Sequence, residues 1–123
     1  MILVDTAIWI DHLRSGSPAL AALLQNDLVC THDFVIGELA CGNLRNSVEV
    51  LSLLQYLPRL AAATEDEALF FVEQQQLMGR GIGYIDAHLL AATVMHGAQL
   101  WTKDKRLKAI AEEKGWAHVP GAH

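Results

Sequence analysis

The chain has 123 residues, 52% of them apolar and 19% charged, with a formal net charge of −5. That length carries one domain with a real core, and the composition excludes a disordered tail. The acidic balance excludes adhesion to nucleic acid or anionic lipid by bulk charge alone.

The start Met-Ile-Leu-Val-Asp lacks the basic flank of a secretory leader, and no apolar stretch approaches the roughly 18 residues of a membrane span. Cys30 and Cys41 stand in neither CxxC nor CxxH spacing, so no disulfide scaffold is expected and a reducing, cytoplasmic setting is the default. In chain order, Ile2 to Val4 reads as a buried strand, and Asp5-Thr6 as the start of a helix bearing Ile8, Trp9 and Leu13. Ser15 to Pro18 is a break, with Pro18 opening a helix to Asn26. Leu28 to Thr31 is a second strand. A helix with Val35, Ile36, Leu39 and Ala40 ends near Gly42, and another runs from Val48 to Leu57 and stops at Pro58. Leu60 to Ala63 is expected as a weak third strand. Glu65-Asp66-Glu67 suits a helix N-terminus, and that helix is expected to end at Gly79. Gly81 and Gly83 form a loop before an apolar helix, Tyr84 to Met95. Ala98 to Thr102 is a strand, Asp104 to Lys114 an amphipathic helix, and Trp116 to Val119 a last strand. Strands alternating with helices predict an α/β fold with a mainly parallel sheet. One domain over 1–123 is expected, with no repeat or linker.

Four isolated acids carry the chemistry. Asp5 and Asp104 each follow a strand, and ligands of open parallel sheets bind beyond the carboxyl ends of strands. Asp86 lies in a first helical turn among apolar neighbours, and Glu38 sits in mid-helix between apolar residues. Each has a plainer reading. Asp5 and Asp104 can be helix caps, Asp86 can answer a helix dipole, and Glu38 can sit at a solvent edge. Together, though, all four can meet at one end of one sheet. Carboxylates crowded in one crevice need protons or a cation to relieve their repulsion. An all-oxygen donor set suits Mg²⁺ or Mn²⁺, which clamps phosphate oxygens and activates water.

At this point the residues resemble a known family, the PIN domains, and in particular the VapC-type toxins of bacterial toxin–antitoxin pairs. The matching segments are Met1 to Leu13, Val35-Ile-Gly-Glu-Leu-Ala-Cys-Gly-Asn43, Gly81-Ile-Gly-Tyr-Ile-Asp-Ala-His-Leu-Leu-Ala91 and Leu100-Trp-Thr-Lys-Asp-Lys-Arg-Leu107. The resemblance implies a three-layer α/β/α sandwich on a short, mainly parallel sheet, and a metal-dependent endoribonuclease. It implies that Asp5, Glu38, Asp86 and Asp104 form the catalytic, metal-holding quartet, with Thr6 and Thr102 as supporting hydroxyls. It implies an RNA substrate, a VapB-type antitoxin as partner, and a homodimer, with no membrane association. The leucine-rich stretch Val48 to Leu60 and the Phe70-Phe71 pair also suit a dimer.

Other residues weigh less. The histidines form no HExxH, and His88 stands on a different helix face from Asp86, so structural roles are expected. Trp9 and Trp101 read as core. Five of the nine basic residues lie between Lys103 and Lys114. They read as a solvated helix face or, for Lys103, Lys105 and Arg106, as RNA contacts that offset the acids. A phosphotransfer receiver would need adjacent acids after the first strand, where Val4 precedes Asp5. A haloacid-type phosphatase would need an aspartate at Ala7. A catalytically silent PIN-like module that binds RNA or protein stays open as the alternative.

Overall fold

A computed structural model describes residues 1–121. Three strands form the sheet: β1 (Ile2–Val4), β2 (Val29–Cys30) and β3 (Gln99–Trp101), all parallel, in the order β2-β1-β3. Seven helices surround it among the described residues: α1 (Thr6–Ser15), α2 (Pro18–Gln25), α3 (Asp33–Cys41), α4 (Ser47–Gln55), α5 (Glu65–Gln74), α6 (Tyr84–Met95) and α7 (Lys105–Lys114). The expected α/β sandwich with a short parallel sheet is what forms. β1 is central because it is apolar at every position and buried throughout. The chain leaves it toward β2 on one side and returns to β3 on the other, so right-handed crossovers put helices on both faces.

The core joins Leu3, Val4, Val29 and Leu100 of the sheet to Leu89 and Leu90 of α6 and Leu107 and Ile110 of α7. Trp9 and Trp101 lie in it, as their spacing suggested. α6 is buried from Ala87 to Thr93 and packs on β3, with α5 outside it. α1, α3 and α4 pack in series. No helix among the described residues is long and apolar enough to cross a membrane.

The sheet is shorter than the sequence suggests. Leu60 to Ala63 forms no strand. Only a single bridge, Thr31 to Arg59, lies beyond β2. Pro58 has no N–H to continue that pairing. Trp116 to Val119 likewise contributes one bridge, Leu100 to Ala117, with its two hydrogen bonds to Leu100.

The helix expected to reach Gly79 stops at Gln74. There Gln76 adopts φ 55°, and Leu77 N–H returns to the Val72 carbonyl. This is the Schellman reversal, and the buried Leu77 side chain anchors it. The same reversal ends α2 at Asp27, α6 at Gly97 and α7 at Gly115. After α2 and α6 it leads straight into β2 and β3, so these helix stops set where two of the strands begin.

Gly81 precedes α6 with φ +85°, and an added Cβ would lie 2.6 Å from Cδ of Arg106. The α7 arginine thus lies directly on the loop that launches α6. Gly81→Ala is expected to lower stability by about 1–2 kcal/mol, since a β-carbon is strained at that φ. Urea unfolding of the two proteins checks this, and an unchanged midpoint would contradict it.

Candidate active site

The parallel pairing of β1 with β3 ends at Val4 opposite Trp101. The next residue, Asp5, donates its backbone N–H to the Trp101 carbonyl at 2.9 Å. Asp5 and Thr102 therefore leave the sheet side by side, at the point where the strand order reverses. Asp5 caps α1, as its position suggested: Oδ1 accepts from Thr6 N–H at 2.8 Å. Its Oδ2 accepts from the Thr102 hydroxyl at 2.8 Å. The Thr102 Oγ1 in turn accepts from the backbone N–H of Asp104 at 3.1 Å. Asp104 caps α7 through Leu107 N–H at 2.9 Å.

On the other side, the Thr6 hydroxyl donates to Glu38 Oε1 at 2.9 Å. Glu38 is exposed on α3, so the solvent-edge reading of it holds locally. A continuous hydrogen-bonded path thus runs from Glu38 through Thr6, Asp5 and Thr102 to Asp104. The cap readings and the clustered reading describe the same atoms. One carboxylate oxygen of Asp5 caps a helix while the other meets the neighbouring strand.

Asp86 joins the group through charge rather than a bond to the path. It reaches back to Gly83 N–H at 3.3 Å in the first turn of α6. Its carboxyl is pushed above the usual range, first by burial and further by the nearby charges of Asp5 and Asp104, while the Gly83 N–H pulls the other way. No ion pair among the described residues involves Asp5, Glu38, Asp86 or Asp104. The donor set is all oxygen and lacks a protein counter-charge, which fits a hard divalent cation. The carboxylates are held by their own hydrogen bonds, and among the described residues no three acidic, histidine or cysteine side chains stand in ready coordinating geometry.

Of the basic candidates, Lys103 is tied to Asp11 of α1 at 2.6 Å. Lys105 and Arg106 are exposed in the first turn of α7, without ion pairs among the described residues. The buried histidines, His32 and His88, are structural. His88 is buried against Phe34 and Tyr84. His32 caps α3 by accepting Phe34 N–H on Nδ1, and burial holds its pKa below the ordinary value, so that nitrogen stays free to accept. Cys30 is buried, its thiol raised to about 11, mainly by burial, and Cys41 is exposed.

Two arginines that the sequence did not single out border this site. A cavity of about 490 Å³ is lined by Arg14, Glu38 and Arg45, among others. They stand 31 residues apart, one in the last turn of α1 and the other in the loop between α3 and α4, so only the fold could reveal them together.

These observations meet the comparisons with known proteins. The model of the PIN domain family matches residues 2–113, and the chain belongs to that family. Ribonuclease VapC32 of Mycobacterium tuberculosis, in two strains, is 47% identical over 118 residues, 95% of each chain, so the membership narrows to the VapC type. Among solved structures, FitAB bound to a DNA fragment aligns over the whole of both chains with TM-score 0.62 and 17% identity. A crystal structure from Pyrobaculum aerophilum aligns over 95% of this chain and 87% of its own, with TM-score 0.55 and 18% identity. Those two likenesses concern the fold.

Thr102 is the shared support of two acids. Thr102→Val keeps its shape and removes both bonds, leaving the Asp104 N–H and Asp5 Oδ2 unpaired. Stability is expected to fall by about 1–2 kcal/mol, and nuclease activity by about tenfold or more. Thr102→Ser should restore most of both. Denaturant melts and RNA cleavage rates on the three proteins check it.

Asp86 bears on pH. An acid whose folded pKa is raised binds its proton more tightly when folded, so it costs stability at neutral pH, and that cost fades as pH falls toward the unfolded value of 3.8. Metal-free Asp86→Asn is therefore expected to be at least as stable as the native chain at pH 7. Its advantage should narrow on acidification. Melts across pH 4 to 7 in EDTA read both trends.

Proposed function

We propose that this VapC-type chain acts as a toxin that hydrolyses RNA at the cluster of Asp5, Glu38, Asp86 and Asp104. The observation that carries the reading is the bonded path from Glu38 to Asp104 at the carboxyl ends of β1 and β3, with Asp86 within charge range. Asp5, Asp86 and Asp104 would hold a divalent cation, Mg²⁺ or Mn²⁺, directly or through water, and Glu38 would orient the attacking water or complete a second site. Such a cation neutralises charge on a phosphate and lowers the pKa of water.

The protein's own part is to hold these groups still. Thr6 N–H and the Thr102 hydroxyl fix both oxygens of Asp5. The Thr6 hydroxyl restrains Glu38, and Leu107 N–H restrains Asp104. Asp86, destabilised as a carboxylate by burial and by its acidic neighbours, gains most when positive charge arrives. Lys105 and Arg106 of α7, and Lys103 when it leaves Asp11, lie beside Asp104 where they offset repulsion of the RNA backbone. In-line attack by water leaves 5′-phosphate and 3′-hydroxyl ends and needs no 2′-hydroxyl.

The VapC type also supports a VapB-type antitoxin as partner. Val48, Leu53, Tyr56, Leu69 and Phe70 are exposed, and an apolar groove of about 380 Å³ runs between α1, α2 and α4. Exposed apolar side chains beside an apolar groove support a homodimer.

Cleavage should stop in EDTA and return with Mg²⁺ or Mn²⁺. Asp5→Asn should lower it by about 100-fold or more while the fold persists, and should relieve growth arrest on induction without antitoxin. RNA end sequencing and growth curves measure this. Activity that survives exhaustive chelation would overturn the mechanism. An absence of cleavage with every divalent ion would leave a silent binding module. Sedimentation at micromolar concentration should give twice the chain mass of 13.5 kDa, and a monomer there would reject the dimer.

A further inference from the structure

We propose that Arg14 and Arg45 form a phosphate-binding subsite that holds an RNA linkage on the Glu38 side of the acids. The proposal rests on the ribonuclease reading above and adds substrate-positioning residues to it. Arg14 lies in the last turn of α1, and Arg45 in the loop that joins α3 to α4. Both line one cavity of about 490 Å³, whose wall includes Glu38. Glu38 is also bonded to Thr6, so the cavity opens directly beside the acid cluster.

Four of the nine basic residues are committed to ion pairs: Arg59 with Asp33, Arg80 with Glu113, Lys103 with Asp11 and Lys108 with Glu112. Arg14 and Arg45 are exposed and take part in none among the described residues. Both guanidiniums line one cavity, where they are open to an anionic group. The guanidinium fork matches phosphate oxygens in geometry.

Position favours an RNA phosphate over a protein carboxylate. Lys105 and Arg106 are on α7 with Asp104, whereas Arg14 and Arg45 are on the α1 and α3–α4 side with Glu38. A strand lying across the acids therefore meets cationic groups on both sides of them. The acids repel the backbone at the scissile linkage. The arginines supply the attraction on the Glu38 side of them, which sets the register of the strand.

The test is fluorescence anisotropy of a mixed-sequence single-stranded RNA, in EDTA so that it is not cut, over a range of salt concentrations. Arg14→Gln with Arg45→Gln should weaken binding about tenfold and flatten the log–log salt slope by about 0.7, one single-strand phosphate contact. Arg14→Lys with Arg45→Lys should keep the slope and lose only part of the affinity, and thermal melts of each variant verify its fold. Lys114→Gln, at the far end of α7, should leave the slope unchanged. A neutral methylphosphonate, moved linkage by linkage away from the mapped cut, should at one position weaken the native protein as the double glutamine change does, and should not weaken that variant further.

An unchanged RNA slope with loss of binding to an acidic antitoxin peptide would overturn the proposal and assign the arginines to protein docking. An equal loss in Lys114→Gln would overturn it in favour of diffuse charge. If the native protein neither binds nor cuts RNA, the ribonuclease reading fails and this subsite falls with it. A native protein that cuts RNA while the double variant binds it normally rejects the subsite alone.

Discussion

The ladder between β1 and β3 is what the site depends on. It is three residues long, parallel, and buried at Leu3, Val4, Leu100 and Trp101. Its last hydrogen bond, from Asp5 N–H to the Trp101 carbonyl, brings two segments 97 residues apart into register. Because side-chain direction along a strand alternates, a slip of one residue would turn the core positions outward. It would also move Asp5 away from Thr102. The register that buries the core is therefore the register that assembles the acids.

Once assembled, the acids are kept in place by hydroxyls and backbone N–H groups rather than by cations. That choice has an electrostatic consequence. A lysine inside the cluster would neutralise it and leave little reason for a metal to bind. Hydroxyl and amide donors orient the carboxylates while leaving most of their charge uncompensated. The raised Asp86 pKa registers the cost of burial first and, after it, that remaining charge. Basic groups stand instead at the margins, in α7, at the end of α1 and before α4. There they can meet a polyanion without quenching the acids.

The turns matter as much as the sheet. Four helices end in the same reversal, using Asp27, Gln76, Gly97 and Gly115 at positive φ. In each, the residue after the reversal sends its N–H back to a helical carbonyl. Two of these reversals deliver the chain into β2 and β3 with little slack. A sheet of so few residues relies on this delivery, because its own ladders supply few hydrogen bonds.

How much of this was legible in the chain depends on the range over which the physics acts. Local rules were enough for where the helices start. Proline at the first turn of α2, the acidic Glu65-Asp66-Glu67 start of α5 and the apolar run of α6 each express a preference within a few residues. The isolated acids stood out in the chain and a family resemblance ordered them, while the cap readings of Asp5 and Asp104 were equally local and also hold. Local rules failed where a partner decides. Leu60 to Ala63 and Trp116 to Val119 have strand-like composition, but the first forms no bridge and the second only one, at Ala117, since pairing is a property of two segments. Gln76 took a conformation that glycine usually takes, because Leu77 gained burial by it. The double role of Thr102, the reach of Thr6 to Glu38 and the meeting of Arg14 with Arg45 at one cavity belong to tertiary structure alone. Each joins residues whose separation along the chain carries no periodic or capping signal, and only the packed sheet and its helices bring them within reach.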